Sequence, residues 1–214
     1  MVKEHKWIDI SVTIKSGMVH WPGDAPVQIK LIHNIDKGDS NNLTAVSMGA
    51  HTGTHIDAPL HFIPSGKGID KMRLDALTGK ARVLVIKDRE SITVKELKRC
   101  RIKRGERIIF KTSNSRLWKN NRFAKKFVYI STEAAKYLVS LKVQTVGVDY
   151  LSVGGFHKNG SEVHKALLKA GICIIEGLNL ANVKPGNFDL ICLPLKILNS
   201  DGAPARAVIR PLQK

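Results

Sequence analysis

Apolar and polar residues alternate, or β-branched residues cluster, in ten short runs along the chain, a pattern typical of β-strands. Turn-forming or charged residues separate these runs from one another. We therefore predict a strand-rich fold. The predicted strands cover residues 7–14, 27–33, 43–50, 81–87, 107–112, 127–130, 145–149, 172–176, 189–195 and 205–210.

Two segments in the middle of the chain have the start signals of helices. Thr93 is followed three residues later by Glu96, a capping box that predicts a short basic helix ending near Cys100. Ser131 is placed to cap a second helix over residues 132–141. These helices are short, and strands remain the dominant element.

A third helix is predicted over residues 162–170, with Ser161 as its cap and Gly171 at the usual stop position. Strands and helices therefore alternate in the second half of the sequence. No internal repeat or Ser/Gly-rich linker divides the chain. We predict a single domain, residues 1–214, of mixed α/β class in which strands dominate.

The composition is that of an ordinary globular protein, with 43% hydrophobic and 25% charged residues, which excludes a disordered or fibrous chain. No apolar stretch approaches the roughly 20 residues of a membrane span. The N-terminal residues lack the hydrophobic region of a signal peptide. Three cysteines without metal-ligand spacing are typical of reduced thiols. We therefore expect a cytoplasmic protein without a membrane anchor.

The net charge of +17 is concentrated in residues 80–126, which hold 17 basic and 4 acidic residues. Such a basic segment can indicate binding to nucleic acid. It has few aromatic residues for base stacking and no recognisable nucleic-acid-binding motif. Its basic residues alternate with apolar strand residues, which favours solvent-facing sides of ordinary elements. We expect no nucleic-acid partner, and binding remains an alternative function.

The passage from Gly49 to Phe62 is the most informative for chemistry because it holds three histidines and an aspartate within eleven residues. In an extended chain, His51, His55 and Asp57 point to one side, and Gly53 leaves room between the two imidazoles for an ion. Two imidazoles and a carboxylate suit zinc, manganese or iron. His61 follows Pro59 and is expected beside this cluster but apart from it.

Two residues of the second half can complete a metal site. His164 lies in the first turn of the third predicted helix, and Glu176 ends the strand that follows it. The chain runs about 10 Å along the helix and returns about 16 Å along the strand, so both side chains reach the same end of this unit. A carboxylate at the end of an apolar strand also needs a partner or a metal.

Trp21 precedes Pro22 and Gly23, which suit the central positions of a type II turn ending at Asp24. An aromatic residue in front of such a turn can line a pocket for a flat substrate. The simpler interpretation of these four residues is a tight turn alone.

These passages resemble one family over nearly the whole chain: the metal-dependent cyclase-like hydrolases, which include bacterial kynurenine formamidase and isatin hydrolase. The strongly specific match is the passage from His51 to Phe62, which resembles the signature HxGTHxDxPxHF. Weaker matches are Asp9-Ile-Ser11, Trp21-Pro-Gly-Asp24, Val146-Gly-Val-Asp149 and the spacing of His164 and Glu176.

The resemblance implies a swivelling β/β/α domain and a dimer or tetramer. It implies two divalent ions per subunit, zinc before manganese. The first would be held by His51, His55 and Asp57, and the second by Asp57, His164 and Glu176. His61 would be the acid–base residue, and Trp21 would contact the aromatic ring of the substrate.

The reaction that follows is hydrolysis of an aryl formamide such as N-formylkynurenine by metal-bound hydroxide, with His61 as proton donor and acceptor. A cyclic amide or imide, such as isatin, or an ester is the alternative substrate, because the loops 111–126 and 149–160 depart from the formamidase pattern. A non-haem iron oxygenase with His55, Asp57 and His164 as ligands is another alternative, and it predicts an all-β jelly roll. A basic nucleic-acid-binding protein with a structural metal is the third.

Overall fold

A computed structural model describes residues 6–212, and one eight-stranded sheet organises most of them. The remaining strands form two separate pairs. The strands are β1 Ile8–Asp9, β2 Gln28–His33, β3 Leu43–Ser47, β4 His55–Asp57, β5 Thr78–Val85, β6 Ser91–Ile92, β7 Arg107–Lys111, β8 Tyr129–Ile130, β9 Thr145–Val148, β10 Cys173–Glu176, β11 Gly186–Pro194 and β12 Gly202–Pro211.

Seven strands of the large sheet close into a ring. The order is β12-β11-β5-β7-β9-β10-β4, and β4 pairs back onto β12, while β1 extends the sheet beside β12. Strands β5, β7, β9 and β10 run parallel to their neighbours within this set, and the other pairings of the ring are antiparallel. The mixed, strand-rich α/β class is confirmed. A jelly roll is built from antiparallel strands. The four successive parallel strands therefore exclude the jelly roll that the iron-oxygenase hypothesis requires.

Each of the ten predicted strands overlaps a strand of the structure. Several bounds differ by two or three residues, and β1 ends at Asp9, five residues before the predicted end. Strand β6, a two-residue strand paired in parallel with β8, carries no pattern long enough to predict. Strand β4 is shorter than the extended ladder predicted through His51. Its chain is extended only from His55 onwards, because residues 50–54 form a turn.

The helices are α1 Leu74–Leu77, α2 Val94–Arg99, α3 Thr132–Ser140 and α4 Gly160–Lys169. Two of the three predicted caps are confirmed, since Thr93 accepts a hydrogen bond from the backbone of Glu96 and Ser131 accepts one from Ala134.

The predicted cap of α4 by Ser161 is wrong. The helix begins at Gly160, two residues earlier than predicted, and Asn159 occupies the cap position. The amide of Asn159 is engaged elsewhere: its Oδ1 accepts from the backbone of Gly155, and its Nδ2 donates to the carbonyl of Ile130. The start of α4 is therefore fixed by the neighbouring loop and strand.

Side chains alternate between the two faces of the ring and form a separate apolar core on each face. One set packs on the inner side, where Ile56, Ile109, Ile175 and Ile209 belong to a single buried cluster. The alternate residues pack outside against the helices, in a second cluster that includes Phe110, Val146, Ile174, Leu138 and Leu167. The residues on either side of Ile56 and Ile175 therefore project outwards, towards α4.

The basic segment, residues 80–126, is mostly solvent-facing, as expected. Of its 17 basic residues, all but Arg82, Arg107 and Lys111 are exposed. Arg82 forms an ion pair with Glu106 at 2.7 Å, and the guanidinium of Arg107 donates to backbone carbonyls. Among residues 6–212, no helix combines the length and the apolar character that crossing a bilayer requires.

Candidate metal centre

The pairing of β4 with β10 brings the first functional side chains together. In the antiparallel register His55 lies opposite Glu176, and Asp57 lies opposite Ile174. Because Ile56 and Ile175 point into the inner core, His55, Asp57 and Glu176 all project from the outer face. His55 Nε2 is 3.3 Å from Glu176 Oε2 and 3.5 Å from Asp57 Oδ1. All three side chains are buried.

Helix α4 covers this face with His164. Its Nε2 lies 3.2 Å from Glu176 Oε1 and 3.4 Å from Asp57 Oδ2. The start of the helix and the end of the strand therefore meet as the sequence predicts. His164 is in the second turn of the helix, because α4 begins at Gly160, earlier than expected.

His51 reaches the cluster from the turn before β4. Its Nδ1 is 2.9 Å from Asp57 Oδ1, so the two side chains meet as predicted. The backbone that connects them is not the extended chain that was expected, because residues 50–54 form a turn. The expected role of Gly53 is wrong. Its φ is +61°, and a Cβ there would lie 3.1 Å from Val12 Cγ2 and 3.4 Å from Met18 Cε. Glycine therefore allows the turn and its packing on the N-terminal segment, on the side away from the imidazoles.

The two buried carboxylates remain ionised. Burial by itself would raise the pKa of Asp57, but the hydrogen bond from His51 and the nearby imidazoles hold it well below its usual range. Burial and the charge of Asp57 would likewise raise the pKa of Glu176. The imidazoles of His164 and His55 beside the carboxylate outweigh both effects and lower its pKa. Two negative charges thus lie in a buried site that only positive charge can balance.

The ring nitrogens indicate what supplies that positive charge. His55 Nδ1 lies 2.9 Å from the Gly53 carbonyl, and His164 Nδ1 lies 2.6 Å from the Gly160 carbonyl. Each Nδ1 is therefore placed to donate to a backbone carbonyl, and each Nε2 is directed at the carboxylates. Among residues 6–212, His55 Nε2 and Asp57 Oδ2 have no hydrogen-bond partner. Imidazole nitrogens and carboxylates that converge in a buried site form the ligand set of a metal centre.

The ligand atoms group as a metal site requires. Those of His51, His55 and Asp57 lie within 4.8 Å of one another, and so do those of Asp57, His164 and Glu176. Asp57 belongs to both groups. Imidazole and carboxylate ligands without thiolate suit zinc or manganese, so the residues present fit the implied metals.

His61 lies at the exposed side of the cluster. It belongs to a short 3₁₀ turn, Pro59–His61, and its ring stacks on that of His51 with centroids 3.9 Å apart. Its Nδ1 is 3.4 Å from Asp201 Oδ2, and 28% of its side chain is exposed. Burial lowers the pKa of His61, which favours the neutral ring near pH 7.

Asp201 is the functional candidate that the sequence pattern did not indicate. Its Oδ2 lies 3.1 Å from His51 Nε2 as well as 3.4 Å from His61 Nδ1. It precedes Gly202, the first residue of β12, and a Cβ on that glycine would lie 2.6 Å from His51 Cε1. The Asp-Gly pair resembles an ordinary turn. Only the folded structure shows that Gly202 has no space for a side chain, because it packs against His51.

A cavity of about 490 Å³ opens in front of these groups, a volume typical of small-molecule sites. His51, His61, Glu176 and Asp201 line one side, and Trp21 lies among the other lining residues.

The predicted type II turn is present in front of this cavity, since Asp24 N donates to Trp21 O and Gly23 has a φ of +98°. Trp21 meets Phe123 and Phe156 edge to face at 5.1 and 5.4 Å. Trp21 therefore lines the cavity as an aromatic side chain that Phe123 and Phe156 support from behind.

Comparison with known proteins places these features in a family. The model of the family described as "Putative cyclase" matches residues 8–154. Kynurenine formamidase of Bacillus thuringiensis (strain Al Hakam) is 35% identical over 211 residues, which is 99% of this chain and 100% of that protein. A potential metal-dependent hydrolase with cyclase activity superposes with a TM-score of 0.85 at 30% identity, covering 98% and 99% of the two chains. Isatin hydrolase A from Labrenzia aggregata shares the fold, with a TM-score of 0.83 at 23% identity and 97% and 94% coverage.

Proposed function

This chain belongs to the cyclase family, and from that premise we propose that it is a metal-dependent amide hydrolase that acts on aryl formamides, with N-formylkynurenine as the expected substrate. One observation carries the proposal: His55, Asp57, His164 and Glu176 turn ring nitrogens and carboxylates towards one buried point beside a cavity that Trp21 lines. The names of the similar proteins, kynurenine formamidase and metal-dependent hydrolase, support the same reaction.

The ligand assignment follows from the two groups. His51 Nδ1, His55 Nε2 and Asp57 would hold one ion, and Asp57, His164 Nε2 and Glu176 would hold a second. Zinc is expected before manganese, as the ligands are imidazoles and carboxylates. A divalent ion there supplies Lewis acidity that polarises the formyl carbonyl and lowers the pKa of water.

His61 is assigned the proton transfers. Its Nδ1 lies 3.4 Å from Asp201 Oδ2, and a proton held on that side would leave Nε2 for substrate and water. The lowered pKa leaves this nitrogen free to take a proton from the attacking water. The same proton then passes to the departing aryl nitrogen, so one water and one formamide give formate and an aryl amine. Stacking on His51 holds the ring in place.

Trp21 is assigned to the aromatic ring of the substrate. It lines the cavity, and its edge-to-face contacts with Phe123 and Phe156 fix its orientation. Trp21, His61 and Glu176 line the same cavity, so one small substrate would contact both the aromatic side chain and the ligand cluster. Trp21 also excludes water from its side of the cavity.

A substrate panel tests the proposed activity. Purified protein loaded with zinc or with manganese is incubated with N-formylkynurenine, a simple formanilide, isatin and an aryl ester, and formate or ring-opened product is measured. We expect both formamides to be hydrolysed faster than isatin. Opening of isatin without release of formate from either formamide would contradict the proposal and favour the cyclic-amide alternative.

We also propose a homodimer or homotetramer, because the hairpin β2–β3 leaves apolar side chains uncovered. Its two strands pair with each other alone, and Ile29, Leu31, Ile32 and Val46 are each at least 40% exposed. A two-stranded hairpin by itself is only marginally stable in water. Light scattering on wild type and on a Leu31→Glu, Val46→Glu double variant tests this. We expect an oligomer and a monomer respectively, and a monomeric wild type would contradict it.

A cytoplasmic location is proposed on the basis of the thiols. Cys100, Cys173 and Cys192 are all free, and the last two are buried. Burial raises the pKa of the Cys173 thiol to about 11, which keeps it unreactive. Free thiols persist in reducing compartments. Immunodetection in fractionated cells of the source organism tests the assignment, and we expect the protein in the cytosolic fraction.

A further inference from the structure

A histidine that binds a metal ion needs a partner for its other ring nitrogen, because that partner fixes the ring and decides which nitrogen carries the proton. For His55 and His164 the partner is a backbone carbonyl, 2.9 Å and 2.6 Å from Nδ1. His51 has two side-chain partners instead. Its Nδ1 lies 2.9 Å from Asp57 Oδ1, and its Nε2 lies 3.1 Å from Asp201 Oδ2. The contact with Asp201 has no part in the proposed ligand set.

The two carboxylates compete for the single proton of a neutral His51 ring. A proton on Nδ1 pairs with Asp57 and removes the lone pair that an ion shared with Asp57 would bind. A proton on Nε2 pairs with Asp201 and leaves Nδ1 free. Asp201 therefore favours the form of His51 that can act as a ligand.

The backbone holds Asp201 in place for this contact. Its carbonyl accepts a hydrogen bond from the backbone of Ala58 at 2.8 Å, and the next residue, Gly202, pairs with Asp57 in the register of β12 and β4. The side chain of Asp201 itself is 46% exposed. A substitution at this position therefore removes the carboxylate and leaves the backbone bonds and the apolar cores intact.

We propose that Asp201 is a positioning residue of the metal centre: its carboxylate holds the ring proton of His51 on Nε2, so that Nδ1 is kept as a ligand atom. This inference rests on the proposed function, because it needs an ion beside His51 and Asp57. His61 Nδ1 also approaches Asp201 Oδ2, at 3.4 Å. A carboxylate oxygen has two lone pairs and can accept from both rings, so the two contacts are compatible.

Two substitutions and a matched control test the role of Asp201. Asp201→Ala removes the acceptor, and Asp201→Asn keeps an oxygen acceptor without the charge. The control is Asp189→Asn, which removes a carboxylate of β11 that pairs with Arg210 on the neighbouring strand. Circular dichroism verifies that all three variants fold. Stepwise competition with a zinc-binding dye then gives a separate affinity for each of the two ions.

We expect Asp201→Ala to weaken the ion of the first ligand group, which includes His51, by roughly ten- to a hundredfold, the usual cost of losing such an outer partner. Asp201→Asn should lose less, because a neutral hydrogen bond remains. The second ligand group does not include His51, so its ion should keep its affinity. The control should match wild type. Equal weakening of both ions in Asp201→Ala, or no weakening of either, would overturn the inference.

Nuclear magnetic resonance of the zinc-loaded protein reports the position of the ring proton directly. Correlation of the ring protons of His51 with its ring nitrogens shows which nitrogen is protonated. We expect Nε2, with a downfield N–H resonance that Asp201→Ala shifts upfield and Asp201→Asn shifts in part. A role of Asp201 in packing alone would leave this resonance in place. A ring proton on Nδ1 in wild type would contradict the positioning role.

These measurements separate the inference from the proposed activity. Zinc binding that Asp201→Ala weakens at one ion alone supports the positioning role even where no formamide releases formate and the proposed function fails. Equal zinc affinities in wild type and Asp201→Ala, alongside rapid formate release, would remove the positioning role and leave the proposed function standing. Absence of zinc binding would contradict both.

A different role for Asp201 is also distinguishable, because the ligand atoms of His51, His61 and Asp201 lie within 4.8 Å of one another. The dye titration counts the ions that each chain binds. We expect no third ion in wild type. A third zinc ion that Asp201→Ala loses would make Asp201 a ligand and would overturn the positioning role.

Discussion

At the scale of single residues, Asp57 connects the two halves of the site. Its Oδ1 lies 2.9 Å from His51 Nδ1, and its Oδ2 lies 3.4 Å from His164 Nε2. The side chain is fully buried between the two histidines. A carboxylate with one oxygen towards each ligand group is suited to bridge two ions. Removing it should therefore affect both ions, whereas removing a terminal ligand affects chiefly one.

We expect His51→Ala and Asp57→Ala to lose bound metal together with all measurable hydrolysis of formamide. His51→Ala removes one imidazole from the first group, and Asp57→Ala removes the carboxylate that both groups share. Elemental analysis of the purified variants, after circular dichroism has verified folding, gives the metal content per chain. Full occupancy in Asp57→Ala would rule out the bridging role.

His61 is the residue whose role can be separated most sharply from metal binding. Because its ring sits at the exposed side of the cluster, we expect His61→Ala to keep its metal content and to lose a factor of roughly 10² to 10⁴ in rate, the usual contribution of general acid–base catalysis. The loss should be smaller for an activated ester, whose leaving group needs less protonation. Metal analysis and rates on a formanilide and an activated ester are the measurements.

Two other outcomes for His61→Ala would each assign a different role. Loss of metal would make His61 a ligand, a role that its grouping with His51 and Asp201 permits sterically. An equal loss of rate on both substrates, at full metal content, would leave His61 as a packing residue.

At the scale of elements, the site is created by the antiparallel register of β4 and β10 under α4. Much of this could be predicted from sequence, because the period of two identifies strands, and the end-to-end geometry of helix and strand brings His164 to Glu176. The pairing of β4 with both β10 and β12 could not be predicted, because the register between strands distant in sequence has no local signal.

The errors of the sequence reading share one physical cause. Gly53 and Ser161 were interpreted from their own neighbours in sequence, but the structure gives each a different surrounding. Val12 occupies the space beside Gly53, and Asn159 is held by the backbone of other segments. Asp201 was missed for the same reason, because it meets His51 from 150 residues further along the chain. Local patterns therefore predict side chains that the structure brings together, but not the residues that surround them.

Gly202, at the start of β12, provides a prediction at this scale. An added Cβ would lie 2.6 Å from His51 Cε1 and 3.0 Å from the Ile56 carbonyl, so Gly202→Ala should displace the imidazole. We expect a loss of metal affinity on the order of tenfold or more, as when an outer partner of a ligand is lost. Competition with a metal-binding dye measures it. Gly49→Ala, where the nearest atom is 3.7 Å away, is the control and should bind metal like wild type. Unchanged affinity in Gly202→Ala would mean that His51 is not held at this position.

At the scale of the whole molecule, the excess of positive charge is a property of the surface. Fourteen basic side chains of residues 80–126 are exposed, whereas the candidate metal ligands lie elsewhere, at the junction of β4, β10 and α4. Exposed charges outside the site act on it only through solvent, where dissolved salt screens them.

Charge reversal at Lys95, Lys98 and Lys119 together should therefore leave the rate on a neutral formanilide within about threefold of wild type, because screened surface charges contribute little. All three lysines are exposed. Steady-state kinetics at physiological salt, with melting temperature as the check on folding, measure the effect. A collapse of turnover in a folded variant would show that the basic segment belongs to the catalytic site. Retention on a nucleic-acid column that is abolished by the same changes would favour the binding alternative.

The most direct test of the central claim is a metal titration of the stripped protein. Metal is removed with a chelator, zinc or manganese is added back in steps, and bound ions per chain and formate release from N-formylkynurenine are measured on the same samples. We expect no hydrolysis without metal, and activity that rises with occupancy and reaches its limit at two ions per chain. Formate release by the metal-free protein, or none at full occupancy, would contradict a metal-dependent formamide hydrolase built on Asp57, His164 and Glu176.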